Sequence, residues 1–440
     1  MRLSVKENSK NYVCSVVEIK QVFDIENADN IKKVIVQGNS VVVSRDVKQG
    51  DRMLYFVSGT KLSADYCKEN SLYDKEELNV DTTKKGFISA KQSRVKAIKL
   101  RGIISDGMLM PLISLGERIA NILKVGDEFT DIDGVSICEK FIPIVLERTS
   151  ERNNKKGKQV VKINRLVEEQ FYLHNDTSNF RKNTHKIEPN DIVGIHFKKH
   201  GTSIVIGNVL VNRQLSWLEK IAKKLKLKVQ ETNYDIIYSS RKVIKNQYLN
   251  PTQNQGYYGE DIWGVVAKEV GHLIPKNWTL YGEVIGFTQS GSAIQAKYDY
   301  GCEVGNHKFY VYKISVVNED GKVVYLTDKQ IEEYCEKVGL LYKDTFIYYG
   351  KAIGVLPDPE DRLSFTTKPF QEQLIESLEK DYNEKDCYMC KNKVPEEGII
   401  IRKENMYEYE AYKLKSKRFL LAESEEQEKE IINIEDSQDE

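Results

Sequence analysis

Residues 194–203 read Gly-Ile-His-Phe-Lys-Lys-His-Gly-Thr-Ser, and this stretch decides how the rest of the chain is interpreted. A β-prone, apolar run leads up to Lys198, and a second β-prone run begins just after Gly201. A lysine at the end of a strand, followed by a turn of small residues, directs its amine to whatever lies above the sheet. Alone this pattern is weak, because short Lys and Gly combinations occur by chance in any long chain.

Length and composition indicate a multidomain globular protein. The chain has 440 residues, of which 40% are hydrophobic, so two or three domains with real cores are expected. The net charge is zero, yet residues 423–440 contain nine acidic residues and one Lys. The remaining residues are therefore net basic. A polyanion-binding body with an acidic tail fits this division, although a solvated tail is the commoner meaning of such a charge run.

Cysteine usage and hydropathy indicate the compartment. Seven scattered Cys are an odd number, which favours reduced thiols. The N-terminus lacks the apolar core of a signal peptide, and no run approaches the roughly 20 apolar residues of a membrane span. We expect a soluble, cytoplasmic protein without membrane association.

Residues 1–140 contain short β-prone runs separated by turn-forming residues, as in a small barrel of the OB-fold type. Basic and apolar residues nearly alternate over residues 94–101, which places Arg94 and Lys96 on one face. That face could follow a phosphate backbone, as OB-folds do with single strands, or it could be a solvated edge strand. Both interpretations stay open at this point.

The domain boundary is predicted near residues 141–143, ahead of a polar segment at 151–159, and residues 141–422 form the second domain. Apolar spacing and capping residues predict helices, and apolar or alternating runs predict strands. The predicted helices are 213–229, 263–269, 327–338 and 368–380, and the predicted strands are 281–287, 308–317, 398–402 and 407–414. Residues 423–440 are expected to be a disordered tail or a frayed helix.

Several side chains of the second domain suit nucleotide chemistry. A lysine nucleophile must be neutral, which for an unperturbed amine near pH 7.5 costs roughly 4 kcal/mol, so Lys198 would need a nearby cation and partial desolvation. Lys413 and Lys415 are two apart on a predicted strand, so both amines leave one face and could clamp a phosphate. Glu283 and Glu397 each lie beside a Gly at a strand end, which suits a ribose hydroxyl or a hydrated metal.

The order of these segments resembles motifs I, Ia, III, IIIa, IV and V of the covalent nucleotidyltransferases, the superfamily of ATP-dependent ligases and mRNA capping enzymes. The segments after the Lys198 motif are 240–242 (Ser-Arg-Lys), 281–283 (Tyr-Gly-Glu), 309–314 (Phe-Tyr-Val-Tyr-Lys-Ile), 397–402 (Glu-Gly-Ile-Ile-Ile-Arg) and 413–416 (Lys-Leu-Lys-Ser). With the OB-like N-terminus, residues 297–302 (Lys-Tyr-Asp-Tyr-Gly-Cys) and Cys387-x-x-Cys390, the chain resembles the family 5 RNA ligases. The resemblance implies an α+β fold, in which an OB-like β-barrel precedes an adenylyltransferase domain of antiparallel sheets flanked by helices.

The resemblance also implies site roles. Lys198 would form a lysyl-N-AMP intermediate, and His200 would be the RNA-ligase-type residue of the same motif. The remaining implied roles are ribose contacts for Arg241 and Glu283, adenine stacking for Phe309 (with Tyr310 as the alternative), metal binding for Glu397, the α-phosphate for Lys413 and Lys415, ATP contact for Asn208, and the outgoing phosphates for Arg181.

The implied function is an ATP-dependent RNA ligase that uses Mg²⁺ or Mn²⁺ and seals a nicked duplex or broken strand as a monomer. The alternatives are a DNA ligase or capping-type guanylyltransferase, and a non-catalytic OB-fold RNA-binding protein. His200 in place of Asp counts against the first alternative, and the presence of every implied catalytic residue counts against the second. Cys387 and Cys390 are either free thiols or half of a zinc site that Cys302 and His307 would complete.

Overall fold

The computed structural model describes residues 1–143, 165–245, 258–357 and 368–428. Backbone contacts divide the chain into two compact units. Among the described residues, the first unit consists of 1–143, 178–186 and 414–428, and the second consists of 165–177, 187–245, 258–357 and 368–413. Within these ranges no helix is both long enough and apolar enough to cross a lipid bilayer.

Strands outnumber helices in both units. The strands are β1 Leu3–Ser4, β2 Cys14–Glu18, β3 Val22–Asp24, β4 Ile31–Val36, β5 Asn39–Ser44, β6 Arg52–Phe56, β7 Thr60–Leu62, β8 Ala97–Leu100, β9 Ile103–Asp106, β10 Met108–Pro111, β11 Glu128–Phe129, β12 Asp131–Ile132, β13 Val135–Ser136, β14 Cys138–Lys140, β15 Ser178–Asn179, β16 Ile192–Lys198, β17 Thr202–Asn212, β18 Thr232–Ser239, β19 Trp278–Gly286, β20 His307–Val317, β21 Val323–Tyr325, β22 Phe346–Lys351, β23 Gly398–Lys403 and β24 Glu410–Lys415. The α-helices are α1 Ala64–Glu69, α2 Glu117–Ala120, α3 Phe180–Asn183, α4 Trp217–Lys224, α5 Ile262–Val270, α6 Asp328–Val338, α7 Phe370–Leu378 and α8 Lys417–Glu428.

The first unit is built from short antiparallel strands, as predicted. Its longest run of neighbours is β10–β6–β2–β11, and β3–β4–β5 forms a second sheet. The β4–β5 hairpin turns through Gln37 and Gly38, which both have positive φ. Two such residues define the type I′ turn, whose twist matches that of paired strands. Apolar side chains from β2, β6, β10 and β11 form the core of this unit.

The C-terminal helix α8 also belongs to the first unit. It runs from Lys417 to Glu428, so residues 423–428 of the predicted tail are helical. Residues 429–440 lie outside the described residues. The Ser424 side chain accepts a hydrogen bond from the Ala97 amide at 3.2 Å, and the Gln427 carbonyl accepts one from Gln92 at 2.9 Å. These bonds hold α8 against the segment that leads into β8.

The second unit contains two antiparallel sheets. In one, the strands are ordered β18–β17–β19–β20–β21. In the other, β22, β16, β23 and β24 are neighbours in that order. One face of the first sheet packs against α5 and α6 in a large apolar core. Full burial of each aliphatic side chain there contributes about 1.5–3 kcal/mol, so this core supports the strands that carry the site.

Local sequence signals placed the helices of this unit well. Helix α6 begins after Thr327, whose side chain and that of Gln330 form a capping box, and it ends before Gly339 in the left-handed conformation. Helix α7 follows Pro369, and α5 is capped by Asp261. The predicted helix over 213–229 is shorter than expected, because α4 ends at Lys224.

Candidate active site

The predicted nucleophile lies at the end of a central strand. Strand β16 pairs antiparallel with β23 from Val193 opposite Lys403 to Lys198 opposite Gly398. This register places Glu397, the residue just before β23, beside the lysine. Two segments separated by about 200 residues of sequence are thereby brought together by a single strand pairing.

Lys198 and Glu397 form a close ion pair. The Lys198 Nζ lies 2.8 Å from the Glu397 carboxylate oxygens. The Glu397 side chain is 2% exposed, whereas the Lys198 side chain keeps 18% of its surface accessible. A charge-assisted hydrogen bond in such a shielded place is stronger than one on the surface. The lysine is therefore held in position while its amine remains reachable.

The turn after β16 adds two further predicted residues to the same place. The His200 amide donates to the Tyr300 hydroxyl at 2.6 Å, and its Nδ1 lies 3.7 Å from Glu397. The Gly201 amide donates to Glu283 Oε1 at 3.1 Å. Glu283 is a buried residue of β19. Through the contacts of Glu397 and of this turn, the structure brings together Lys198, His200, Glu283 and Glu397.

Gly201 is required by close packing. A Cβ at this position would lie 2.3 Å from the Val284 carbonyl oxygen and 2.9 Å from the Glu283 side chain. The Gly201 carbonyl also accepts a hydrogen bond from Gln295 at 2.7 Å. The turn that follows the lysine is therefore fixed against β19 in a way that any side chain would disturb.

Arg241 follows β18, whose last residue, Ser239, pairs with Val205 of β17. This position is near the end of β17 that begins at Thr202, so Arg241 lies at the site end of the sheet. The Arg241 guanidinium forms a salt bridge with Asp176. The sequence analysis did not assign Asp176 a role, and only its polar position in a short segment before β16 could have indicated one.

The two late lysines fall on the same strand, as predicted. Lys413 and Lys415 are two apart in β24, so their side chains leave the same face. Lys413 belongs to the second unit, whereas Lys415 belongs to the first. Within the first unit Lys415 Nζ lies 3.3 Å from Glu423, and the Lys415 carbonyl accepts from Arg181 at 3.2 Å. The phosphate roles of these three residues stay predictions.

Phe309 is on the wrong face for adenine stacking. In the β19–β20 pairing, Phe309 lies opposite Val284, and Tyr310 lies opposite Glu283. Side chains of successive strand residues point to opposite faces, so Phe309 faces the core formed with α5 and not the side of Glu283. Its ring covers Gly282, where a Cβ would meet it at 2.2 Å.

Tyr312 is an aromatic residue near the site to which the sequence analysis gave no role. Tyr312 is two residues after Tyr310, which lies opposite Glu283, so strand alternation places Tyr312 on the Glu283 face. Its hydroxyl lies 3.3 Å from Ser203 Oγ and 2.9 Å from His174 Nδ1. The sequence does not state the register between β19 and β20, so it could not show which residues of β20 share the face of Glu283.

Asn208 also lies away from the site. It pairs with Trp278, and its side-chain amide donates to the Ile274 carbonyl at 2.8 Å. Six residues of β17 separate it from Thr202, a distance of about 20 Å along a strand. The predicted ATP contact is therefore wrong, and Asn208 instead secures the loop before β19.

The predicted basic face of the first unit is also wrong in this structure. Arg94 is 3% exposed, and its guanidinium donates to the Ser424 carbonyl of α8 at 3.4 Å. Lys96 forms a salt bridge with Glu428 of the same helix. Helix α8 thus occupies the surface that the sequence assigned to RNA.

None of the seven cysteines forms a disulfide, and the zinc hypothesis for Cys387 and Cys390 stays a hypothesis. All seven are free, and within the described residues no group of three or more His, Cys, Asp or Glu side chains is arranged to hold a metal. His307 Nε2 instead pairs with Glu269 at 2.9 Å. The hydrogen bond with Cys390 and burial raise the pKa of the Cys387 thiol, and the same hydrogen bond lowers the pKa of Cys390.

Two further ionisable side chains are buried next to Lys198 and Glu397 in the sequence. Glu396 is 1% exposed and Lys199 is 4% exposed. Burial raises the pKa of Glu396 to about 8, although the nearby Lys199 ammonium opposes this shift. Neither residue was singled out from the sequence.

Comparisons with known proteins agree with this geometry. Residues 193–419, slightly more than half of the chain, match the RNA ligase family, and residues 13–112 match an OB-fold domain family. No curated protein sequence matches the chain.

Solved structures of an RNA ligase from Naegleria gruberi share the fold. A mutant with AMP and Mn covers 92% of this chain and 97% of its own, at 17% identity and a TM-score of 0.55. An apo mutant covers 96% and 100%, at 16% identity and a TM-score of 0.56. The structure with pyrophosphate covers 94% and 98%, at 17% identity and a TM-score of 0.54. The family match over residues 193–419 includes Lys198, His200, Glu283 and Glu397, and the chain belongs to the RNA ligase family.

Proposed function

We propose that this RNA ligase is ATP-dependent and joins a 3′-hydroxyl to a 5′-phosphate through lysyl-N-AMP and adenylylated RNA. The observation that carries the proposal is the Lys198–Glu397 pair at 2.8 Å, with Glu283 fixed to the adjoining turn. The Lys198 amine is accessible and fixed at a strand end, which suits a covalent nucleophile, and its ion pair with Glu397 must be broken before the neutral amine can attack.

In the first step, the neutral Lys198 amine attacks the α-phosphorus of ATP. An N–P bond forms, and the bond from that phosphorus to pyrophosphate breaks. The Lys198 ammonium first gives one proton to solvent, and the nitrogen gives up a second proton to solvent as the N–P bond forms, so Glu397 can hold the ammonium only until the nucleotide is bound. We assign the ribose to Glu283 and Arg241, and the α-phosphate to Lys413 and Lys415.

Glu397 fits a divalent cation such as Mg²⁺ or Mn²⁺. Its carboxylate is the hard oxygen ligand that these ions prefer, and one carboxylate together with substrate phosphates is a common way of binding Mg²⁺. Such an ion would neutralise phosphate charge as pyrophosphate leaves. Competition for Glu397 would also release Lys198 from its ion pair.

The next two steps use RNA. A 5′-phosphate oxygen attacks the phosphorus of lysyl-N-AMP, the N–P bond breaks, and AMP is transferred to the RNA end. A 3′-hydroxyl then attacks the 5′-phosphorus and AMP leaves. We propose a nicked duplex or broken strand as the substrate, with ribonucleotides required on the 3′-hydroxyl side, and a monomeric enzyme.

Incubation with α-labelled ATP, GTP or NAD and Mg²⁺ or Mn²⁺ tests the nucleotide step. We expect label on the protein from ATP only, and this label should be stable to alkali but released by acid and by hydroxylamine, as a P–N bond is. Lys198→Ala should abolish it, while the matched control Lys220→Ala, on the exposed face of α4, should retain it. Label from GTP would instead indicate a capping-type enzyme, and folded wild-type protein without any label would refute the proposal.

Nicked duplexes with RNA or DNA on each side of the break test the substrate. Sealing should require RNA at the 3′-hydroxyl end. Equal sealing of all-DNA nicks would contradict the assignment of an RNA substrate, while leaving the lysyl-N-AMP step intact.

A further inference from the structure

Helix α4 presents an apolar face that the rest of its unit leaves exposed. Trp217, Ile221 and Leu225 recur every four residues, and Leu218 lies between the first two, so the four side chains share one face. At 3.6 residues per turn this face is an apolar arc about 100° wide. The exposed fractions of the four residues are between 45% and 69%, and within the described part of the chain no residue of α4 is buried.

Local contacts, and not packing, maintain this helix. An unpacked helix of eight residues is marginal in water. Ser216 and Glu219 form a capping box at its start, and the Glu219 carboxylate also forms a salt bridge with Arg213. Contiguous apolar surface that stays exposed on a folded protein marks a place of interaction. The face of α4 is therefore a candidate docking surface.

The residues around this apolar face are strongly basic. Residues 213–231 contain six Lys or Arg and two Glu, which gives a net charge of +4. The two Glu form salt bridges with Arg213 and Lys223. The other four lysines are exposed, and the described residues place no carboxylate within ion-pair distance of them: Lys220, Lys224, Lys226 and Lys228. The charge of this segment thus fits an anionic partner.

The helix lies far from the candidate active site within the same unit. It belongs to the excursion between β17 and β18, which is closed by a hydrogen bond from the Arg213 amide to the Glu231 carbonyl at 2.8 Å. Strand β17 begins near the site at Thr202 and ends at Asn212, about 33 Å away along the strand. A partner bound to α4 would therefore leave Lys198 accessible.

Charge and apolar surface together select the kind of partner. A second copy paired through the same face would bring two segments of charge +4 together, and like charges oppose such an interface. RNA phosphates would use the lysines but leave the apolar side chains in water. An anionic phospholipid surface uses both features, because apolar side chains enter the acyl boundary while lysines reach the headgroup phosphates.

We propose that α4 docks on an anionic phospholipid surface. Trp217, Leu218 and Leu225 enter the boundary between headgroups and acyl chains, where tryptophan is favoured, and the four exposed lysines contact the phosphates. The contact is peripheral and reversible, because two helical turns lie in the interface and do not span it. It revises the sequence-based expectation of no membrane association, and it does not depend on the proposed ligase reaction.

Co-sedimentation of the full chain with vesicles tests the proposal. One set of vesicles is phosphatidylcholine alone, and the other contains roughly one third phosphatidylglycerol, which supplies negative charge. Binding to the anionic set should be at least about tenfold tighter and should weaken with added salt. Trp217→Ser combined with Leu225→Ser should weaken it at least about tenfold. The matched control, Ile113→Ser combined with Ile122→Ser, changes two exposed residues outside α4 and should bind within about twofold of wild type.

The lysines are tested in the same assay. Replacing Lys224, Lys226 and Lys228 together by Gln should weaken binding at least about tenfold at low salt, while replacing them by Arg should preserve it. Wild-type protein that does not bind the anionic vesicles would overturn the proposal, and so would a Trp217→Ser, Leu225→Ser variant that binds them like wild type. A wild-type dimer that this variant dissociates would assign the face to a second copy. Loss of affinity for a nicked RNA duplex with unchanged vesicle binding would assign it to RNA.

Discussion

Lys313 offers the sharpest quantitative test of the structure. It is buried in β20, and its Nζ lies 3.6 Å from the Tyr281 ring centroid and 4.6 Å from that of Tyr409. Burial, with a smaller contribution from the Arg402 charge, lowers the pKa of Lys313 to about 7. The unfolded chain would hold this proton up to a pKa of about 10.4.

The sign and size of the effect follow from proton linkage. Between pH 7 and pH 10 the unfolded state binds one proton more than the folded state, so stability rises with pH by up to about 1.4 kcal/mol per unit. Below pH 7 both states are protonated, and the full cost of burying the ammonium, roughly 5 kcal/mol, is present. The aromatic rings offset part of this cost.

Lys313→Met should therefore raise the free energy of unfolding at pH 7 by about 2–4 kcal/mol. The gain should shrink to less than about 1 kcal/mol at pH 10, where the native lysine is neutral. Urea denaturation at pH 7, 8, 9 and 10 measures both values, with Lys337→Met on the exposed face of α6 as the control. A Lys313→Met protein less stable at pH 7, or a difference that does not change with pH, would refute the reasoning.

Three other substitutions test separate parts of the site. Gly201→Ala should reduce lysyl-N-AMP formation by at least about tenfold in the labelling assay, because its Cβ would lie 2.3 Å from a backbone oxygen; a wild-type rate would contradict that packing. Tyr312→Ala should raise the half-saturating ATP concentration about tenfold. Phe309→Leu should lower the unfolding temperature and leave the half-saturating ATP concentration nearly unchanged. The opposite pattern would restore Phe309 as the stacking residue. Burial alone would raise the pKa of Asp328, but the His196 and Arg402 side chains outweigh it and lower the pKa to about 2. The stability that this carboxylate contributes is therefore present above about pH 4 and is lost as the pH falls towards 2. Asp328→Asn should lower the free energy of unfolding at pH 7 by about 3 kcal/mol and flatten this acid dependence in denaturation curves. A variant with the wild-type acid dependence would contradict the assignment.

Much of the active site was predictable because its signals are short in sequence. Lys198 before a Gly-containing turn, and Glu397 before an apolar strand, keep their meaning wherever the strands lie. Helix α6 was equally clear, because Thr327 and Gln330 form their capping box within four residues. Local chemistry of this kind needs no knowledge of the fold.

The misplaced residues share a different cause. Phe309 lies on the core face because the β19–β20 register places it opposite Val284 and not Glu283, and Asn208 lies too far along a strand whose length the sequence does not state. Arg94 is buried because a helix more than 300 residues later packs on it. Strand register, strand length and burial by a distant helix all depend on residues far away in the sequence.

The sequence by itself indicated Lys198 as the candidate nucleophile, Glu397 as a candidate metal ligand, the α+β class and the family, since each depends on residue type and order. Only the tertiary structure decided which face each strand residue takes, which ionisable side chains are buried and that Lys198 forms an ion pair with Glu397. The physical reason is that strand register and long-range packing set burial and distance, and these quantities arise only when remote segments meet.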